Sequence, residues 1–266
     1  MRYIITLSLL LISLSSWTQK ILKPAQLQTD FDYLVTELKA QHQGLYQYLD
    51  TTTVDQKLDS LRQSLLSPMD PLAFYQVVLQ TIGLTNEGHT SADLPKGLER
   101  KIGLSKTFLP IALAYREGYF LITQHFGEAA EGLSKGDRLL RINGQSMDDI
   151  LTRLFPLIPT DGFNQSSRYE WIAGLNFSLL YRLVWGQTSQ FELEVQSFGE
   201  TQTKKINVAP IRFTAFKAKN RTFPSKSFAY FRFGFRPIND SVAYLCIPSF
   251  GEDKLDYEAY YRKVFL

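Results

Sequence analysis

Residues 132–151, GLSKGDRLLRINGQSMDDIL, hold the clearest succession of structural signals in this chain. Residues 135–137 have the composition of a tight turn, and residues 139–142, LLRI, suit a short β-strand. Residues 143–144, Asn-Gly, are a pair that two-residue hairpin turns favour, because both residues tolerate a positive φ. Met147 then begins an apolar pattern with helical spacing. The stretch therefore predicts a strand, a hairpin turn and a helix in immediate succession.

Apolar patterns on both sides of this stretch predict further β-structure. Residues 109–126, LPIALAYREGYFLITQHF, contain two apolar runs separated by turn residues, which predicts a β-hairpin. Residues 191–196 alternate apolar with polar side chains, and this strand is expected to pair with one that carries Ile206 and Val208. Residues 160–187 have aromatic and leucine residues at mixed spacing, and they predict one helix with a loop.

Three amphipathic helices are predicted before the β-rich region, over residues 20 to about 84. The first has Thr29 or Asp30 as a candidate N-cap, and the second covers about residues 54–66. Their apolar stripes are formed by Phe31, Leu34, Val35 and Leu38 in the first helix and by Leu58, Leu61 and Leu65 in the second.

The third helix has the strongest boundary signals. Asp70 is predicted as its N-cap with Pro71 at its first position, and Gly83 is predicted to end it. Its apolar face is expected to consist of Leu72, Tyr75, Val78, Leu79 and Ile82. A polar loop is expected to follow, leading into the β-rich region.

The composition is that of an ordinary globular protein, with 44% hydrophobic residues, 21% charged residues and a formal net charge of +3. So small a basic excess gives no reason to expect a nucleic-acid partner. Residues 213–240 are basic and aromatic, which would suit stacking on a nucleic acid, but an exposed linker with one strand is the favoured interpretation. The single cysteine, Cys246, excludes an intrachain disulfide, and its apolar segment VAYLCIPSF predicts a buried strand and a core thiol.

The first residues, MRYIITLSLLLISLSSWTQK, have the layout of a signal peptide. Arg2 precedes an apolar run over residues 4–14, and small polar residues precede Gln19, where cleavage is expected. The run is too short to span about 30 Å of hydrocarbon, which needs about 20 residues. The sequence therefore predicts export to the periplasm, cell envelope or extracellular space, with no membrane association after the signal is cleaved.

Three histidines are present, and His89 is the candidate for catalysis. It lies in the polar segment TNEGHTSADLP between Gly88 and Thr90, where an imidazole can project into a cleft. His42 follows the first helix and is predicted to stabilise its C-terminus, whereas His125 is assigned no function.

Sequence motifs for metal binding, cofactor binding and a serine nucleophile are not recognisable. Glu87 and Asp93 do not form a recognisable ligand set with the isolated histidines, so no metal is predicted. No Gly-x-Ser-x-Gly elbow, glycine-rich phosphate loop or dinucleotide fingerprint occurs, so no cofactor is predicted either. Ser91 is too near His89 in sequence to assume productive geometry, and Ser249 is expected to be structural.

The order of these elements resembles the C-terminal processing serine peptidases, in the branch similar to the tricorn core protease. Three segments carry the resemblance: DFDYLVTELKAQHQGLYQYLD, with Gln43 in place of the usual proline; GHTS at residues 88–91; and GLSKGDRLLRINGQSMDDIL followed by AYLCIPSF. The resemblance covers roughly residues 27–266, and the order of the segments is more specific than any one of them. Glu87 and Asn86 depart from the residues that relatives often have beside the histidine.

The resemblance implies an α+β protein in four parts. These are a signal peptide at residues 1–18, a helical domain at 19–105, a PDZ-like β-rich module with an inserted helix at 106–212, and a linker with the first strand and helix of an incomplete α/β catalytic domain at 213–266.

The resemblance also implies peptidase chemistry, with His89 as the general base and a peptide or protein as the substrate. The oxyanion loop and serine nucleophile of the family are not recognisable in the sequence, so the chain is expected to be truncated and inactive by itself. A PDZ-like module that binds extended peptides without catalysis is the alternative, and a secreted structural domain without a ligand is a third possibility. The oligomeric state is not predicted.

Overall fold

The computed structural model describes residues 21–126, 132–216, 234–246 and 262. The chain divides into two compact units, one ending at Phe213 and the other beginning at Thr214. The predicted signal peptide, Ser249 and most of the basic aromatic region lie outside the described residues. So does the predicted C-terminal helix, except for Arg262, which is helical.

The α+β prediction is confirmed, because the structure combines helices with antiparallel sheets. The helices are α1 Pro24–Gln41, α2 Thr51–Ser64, α3 Pro71–Gly83, α4 Lys96–Leu104, α5 Met147–Leu154, α6 Gln165–Ile172 and α7 Asn176–Trp185. The strands are β1 Lys106–Phe108, β2 Ile111–Arg116, β3 Tyr119–His125, β4 Arg138–Ile142, β5 Gln145–Ser146, β6 Phe191–Gln196, β7 Thr203–Val208, β8 Ile211–Arg212, β9 Gly234–Asn239 and β10 Val242–Cys246. No described helix is long and apolar enough to cross a membrane.

The three predicted N-terminal helices are present and share one apolar core. Their fully buried side chains include Leu27, Phe31, Val54 and Leu65. The predicted N-cap of α1 is wrong: the helix begins at Pro24, and Thr29 lies inside it with its hydroxyl donating to the Ala25 carbonyl. Proline suits this position because its fixed φ is helical and the N–H it lacks would have no partner in the first turn.

The boundaries of α3 are as predicted. The Asp70 side chain accepts hydrogen bonds from the backbone N–H groups of Leu72 (2.8 Å) and Ala73 (3.2 Å). The helix ends at Gly83, where a Cβ atom would meet the carbonyl oxygen of Pro156 at 2.4 Å. Glycine is therefore needed here for close approach to the neighbouring chain as well as for ending the helix.

The main sheet has the strand order β2-β3-β4-β6-β7, all antiparallel, with β5 paired to β4. The predicted pairing of Ile206 is confirmed, since it lies opposite Leu193. Asn143 (φ +49°) and Gly144 (φ +79°) make the predicted turn between β4 and β5. Apolar side chains of the sheet, α3, α5 and α7 form the larger core.

Residues 160–187 contain two helices rather than the single helix predicted. Asn164 caps α6 by accepting from the Ser167 N–H, and Gly174 (φ +67°) lies between α6 and α7. The Gly174 N–H donates to the Leu113 carbonyl at 2.7 Å, so this connection lies on the edge of β2. A glycine that adopts a positive φ interrupts a helix, which the mixed apolar spacing did not reveal.

In the second unit, β9 and β10 form an antiparallel hairpin. The prediction of a buried strand is wrong for its described side chains: Val242 is 50% exposed, Tyr244 46% and Leu245 37%. A two-stranded hairpin buries its apolar residues only when another layer covers one face. The predicted core position of the Cys246 thiol lies outside the described side chains.

Candidate active-site loop and adjoining cleft

The loop that carries His89 connects α3 to α4. Thr85 and Asn86 are buried at its start, and Asn86 adopts a positive φ of 47°. The loop is shorter than predicted, because α4 begins at Lys96. Two glycines in KGLERKIGL weaken its helical signal, although Leu98 and Ile102 have helical spacing.

Two backbone groups of this loop are fixed by the segment at residues 161–162. The Gly88 N–H donates to the Asp161 Oδ1 atom at 2.7 Å. The Gly162 N–H donates to the Asn86 carbonyl at 2.8 Å. The partners are more than 70 residues apart, since Gly88 and Asp161 are separated by 73 positions. The residue before His89 is therefore held by tertiary structure rather than by local turn geometry alone.

Glu87 accepts two hydrogen bonds from the residues that follow it. Its Oε1 atom accepts from the His89 backbone N–H at 3.0 Å, and its Oε2 atom accepts from the Thr90 hydroxyl at 2.5 Å. The Thr90 hydroxyl is the main cause that lowers the pKa of Glu87, with the His89 N–H contributing in the same direction and burial opposing both. The folded state thus favours the ionised form of Glu87. Its carboxylate accepts from the His89 N–H and from the Thr90 hydroxyl, and these two bonds hold the loop around His89.

His42 connects this loop to the end of α1. Its Nε2 atom lies 3.0 Å from the Thr90 Oγ1 atom. Because Thr90 gives its only hydroxyl proton to Glu87, it accepts from His42, which places a proton on Nε2. The Nδ1 atom is buried and has no hydrogen-bond partner in the described part of the chain.

His42 is the C-cap residue of α1, as predicted, but its imidazole has a further partner that was not predicted. Its backbone N–H does donate to the Leu38 carbonyl at the end of α1, at 2.9 Å. The imidazole, however, bonds to a side chain 48 residues away. No spacing rule in the sequence could have indicated this partner, because the contact depends on how α1 packs against the loop.

His89 lies on the predicted loop with its side chain exposed. Its imidazole makes no hydrogen bond to any described residue. Ser91 is also exposed and is not hydrogen-bonded to it. The structure therefore fixes the backbone around His89 and leaves its ring nitrogens available, without bringing a described serine to them.

A cleft of about 720 Å³ adjoins the loop, with Gly88 and Ser91 on either side of His89 among its lining residues. Ligand sites in proteins commonly have volumes of about 300–1,000 Å³. The cleft lies between α3, α4 and α7, and its walls are mainly apolar. They include Leu72, Tyr75, Leu79, Ile102, Phe108, Trp171, Leu179, Leu180, Leu183 and Phe213.

Arg182 is a buried charged residue in the wall of this cleft, with only 7% of its surface exposed. Its Nε atom donates to the Thr107 hydroxyl at 3.0 Å. Burial lowers the pKa of Arg182, and the negative charge of Asp70 opposes that shift. The sequence did not single out Arg182, because an arginine in an aromatic segment of mixed spacing carries no signal of burial.

Among the described residues, no group of three His, Cys, Asp or Glu side chains is arranged to hold a metal ion. His125, the third histidine, lies at the end of β3. Its Nδ1 atom is buried and has no partner in the described ranges.

Comparison with known proteins gives little further information. No protein-family model matches the sequence, and no curated protein matches it significantly. The solved structures that match include one described as "Crystal Structure of mature CPAF", with a TM-score of 0.46 and 20% sequence identity. The match covers 70% of this chain and 34% of that one, so this chain spans about a third of that protein's length. Similarity at this level does not identify an activity.

Proposed function

We propose that this chain provides the general base and part of the substrate-binding surface of an exported serine peptidase, with His89 as the base. The observation that carries the proposal is the contrast at His89. Its backbone N–H is bound by Glu87, and its neighbour Gly88 is bound by Asp161, yet its imidazole is exposed and uncommitted. A base needs this combination, because its ring must be positioned accurately and still be free to accept a proton.

The proposed chemistry is acyl transfer. The His89 imidazole removes the hydroxyl proton of a serine while the serine oxygen attacks a peptide carbonyl. The imidazolium then gives that proton to the leaving amine, which produces an acyl-enzyme and a shortened peptide. Water attacks the ester in the second half of the reaction, with His89 again taking and returning one proton. Glu87, Thr90 and His42 hold the loop in place and do not touch the substrate.

The nucleophile is expected to come from a serine outside the described residues. No described serine bonds to His89, and acyl transfer also requires oxyanion donors beside the reacting carbonyl. Because no oxyanion loop is recognisable in the sequence, we propose that the 266 residues hydrolyse no peptide by themselves. Export is proposed from the signal-peptide pattern of the first residues.

The proposal can be tested by expressing the chain together with any residues that the coding DNA specifies after Leu266. A fluorophosphonate probe should label a serine in that product, and labelling and casein hydrolysis should both be lost in His89→Ala. His125→Asn serves as the matched histidine control, because His125 does not line the cleft. Retained labelling in His89→Ala, or casein hydrolysis by the shorter chain with Ser91 as the labelled residue, would contradict the proposed roles.

A PDZ-like peptide-binding module without catalysis is the second candidate, favoured by the antiparallel sheet with α5 following the β4–β5 turn. Peptide binding by strand addition needs a free sheet edge. The β2 edge is occupied at Leu113 by Gly174, so we expect any added strand to pair with β7. Hydrogen exchange of the full chain with an extended peptide should then show protection of β7 amides, with binding unchanged in His89→Ala.

A further inference from the structure

Arg182 combines burial with an incomplete set of partners. Its Nε atom is bound by Thr107, but its two terminal nitrogens donate to no group in the described part of the chain. No described carboxylate forms an ion pair with it. Burial lowers the pKa of Arg182 and the charge of Asp70 raises it, but the side chains of Asp70 and Arg182 form no ion pair, so the burial of the guanidinium is only partly compensated.

The open space beside Arg182 is the cleft between α3, α4 and α7. Among the described residues, the other charged ones that line it are Asp93, Lys96 and Glu99, and all three are exposed. Arg182 is thus the charged group that lies deep in the cleft wall, while the remaining charges are hydrated and screened.

The rest of the lining is apolar, and part of it is exposed to solvent. Trp171 is 50% exposed and Leu179 is 36% exposed, although both are large apolar residues that line the cleft. The segment with Ala92 forms one wall and is tied to α3 by the Tyr75 hydroxyl, which donates to the Ala92 carbonyl at 2.8 Å. As far as the described residues line it, the cleft is therefore a largely apolar cavity with one deep cationic group, Arg182.

We propose that this cleft binds an apolar molecule that ends in a carboxylate, with the terminal nitrogens of Arg182 donating to the carboxylate oxygens. Arginine suits this role because its planar guanidinium can donate two parallel hydrogen bonds to one carboxylate. The apolar body of the ligand would cover Trp171 and Leu179. The carboxylate could belong to a free acyl chain or to the end of an apolar peptide. Binding of such a ligand does not require a catalytic role for His89.

The test uses the full chain and calorimetric titration with decanoate and decan-1-ol, both below the concentrations at which they form micelles. Decanoate should bind about tenfold more tightly than the alcohol, as expected for charge-assisted hydrogen bonds. Arg182→Met should abolish that difference and leave decanol binding unchanged. A peptide ending in Leu-Leu, with a free or amidated C-terminus, distinguishes the two sources: preference for the free peptide over decanoate assigns the carboxylate to a chain end.

A second pair of variants tests the location without removing a buried charge. Gly103 lines the cleft and Gly97 does not, and a Cβ atom at either position of α4 would meet nothing within 4 Å. Gly103→Phe should fill the cleft and weaken decanoate and decanol binding alike, by about tenfold, whereas Gly97→Phe should leave both unchanged. Equal affinity for acid and alcohol, or no binding of either at millimolar concentration, would overturn the proposal.

Discussion

His42 and Thr90 are joined by a hydrogen bond of 3.0 Å between Nε2 and Oγ1, although 48 residues separate them in sequence. The Thr90 hydroxyl donates to the Glu87 carboxylate, and this carboxylate also accepts from the His89 N–H. The end of α1 therefore helps to position the candidate base, together with Asp161.

This connection should be measurable as a coupling energy. In a double-mutant cycle with His42→Phe and Thr90→Val, the two changes should be non-additive by about 1 kcal/mol in the free energy of unfolding. Thr36→Val is the control, because among the described residues its hydroxyl bonds to the Asp32 carbonyl within α1 and to no other group. Urea denaturation of the four proteins gives the coupling, and strict additivity would show that the His42 contact contributes nothing.

The loop should also lose stability in acid. The Thr90 hydroxyl is the main cause that lowers the pKa of Glu87, so the folded state favours the carboxylate. A lowered pKa contributes stability above the unfolded pKa, and this contribution is lost as pH falls through the folded pKa. The wild type should therefore exceed Thr90→Val in stability at neutral pH, and the difference should shrink on acidification. A difference that stays constant down to the acid transition would exclude Glu87 as the titrating partner.

Alanine substitutions at Gly83 and Gly103 should change the stability of the fold in opposite directions. Gly83→Ala should destabilise the fold by about 1–3 kcal/mol, because the new methyl group would overlap the Pro156 carbonyl oxygen. Gly103→Ala should stabilise it by about 0.5–1 kcal/mol, because α4 gains helix propensity in open space. Thermal unfolding distinguishes the two, and equal effects would mean that the close approach at Gly83 is relieved at no cost.

Asp70 should contribute to the stability of the fold in two separable ways. Asp70→Ala removes the N-cap of α3 and should cost about 1 kcal/mol in the free energy of unfolding. Asparagine retains the capping oxygen. Because the charge of Asp70 also raises the pKa of Arg182, Asp70→Asn should still lower stability in urea denaturation, and this loss should disappear in an Arg182→Met background. An equal loss in both backgrounds would show that the charge of Asp70 does not act on Arg182.

Local signals predicted much of the fold. The cap of α3 and the β4–β5 turn at Asn143 and Gly144 were predicted correctly because each is decided by residues within a few positions of one another. The missed helix α4 and the division at Gly174 had weak local signals. There, packing against the rest of the chain decides the conformation.

The candidate site was less accessible to sequence reasoning. The residue types around His89 indicated a loop that could serve catalysis, and the structure does contain that loop. The partners that hold it, His42 and Asp161, come from distant elements, and only the folded chain brings them together. The burial of Arg182 was equally hidden, because the cleft that surrounds it is built from three separate helices.

The hydrogen bond from the Gly174 N–H to the Leu113 carbonyl has a consequence for self-association. An exposed sheet edge is a template on which a second copy can pair, and such pairing leads to aggregation. The α6–α7 connection occupies this edge at Leu113, so a segment of the same chain blocks the position where a second copy could pair. A variant that disrupts the α6–α7 connection at Gly174 should therefore expose the β2 edge and form intermolecular sheet at concentrations where the parent chain stays dispersed.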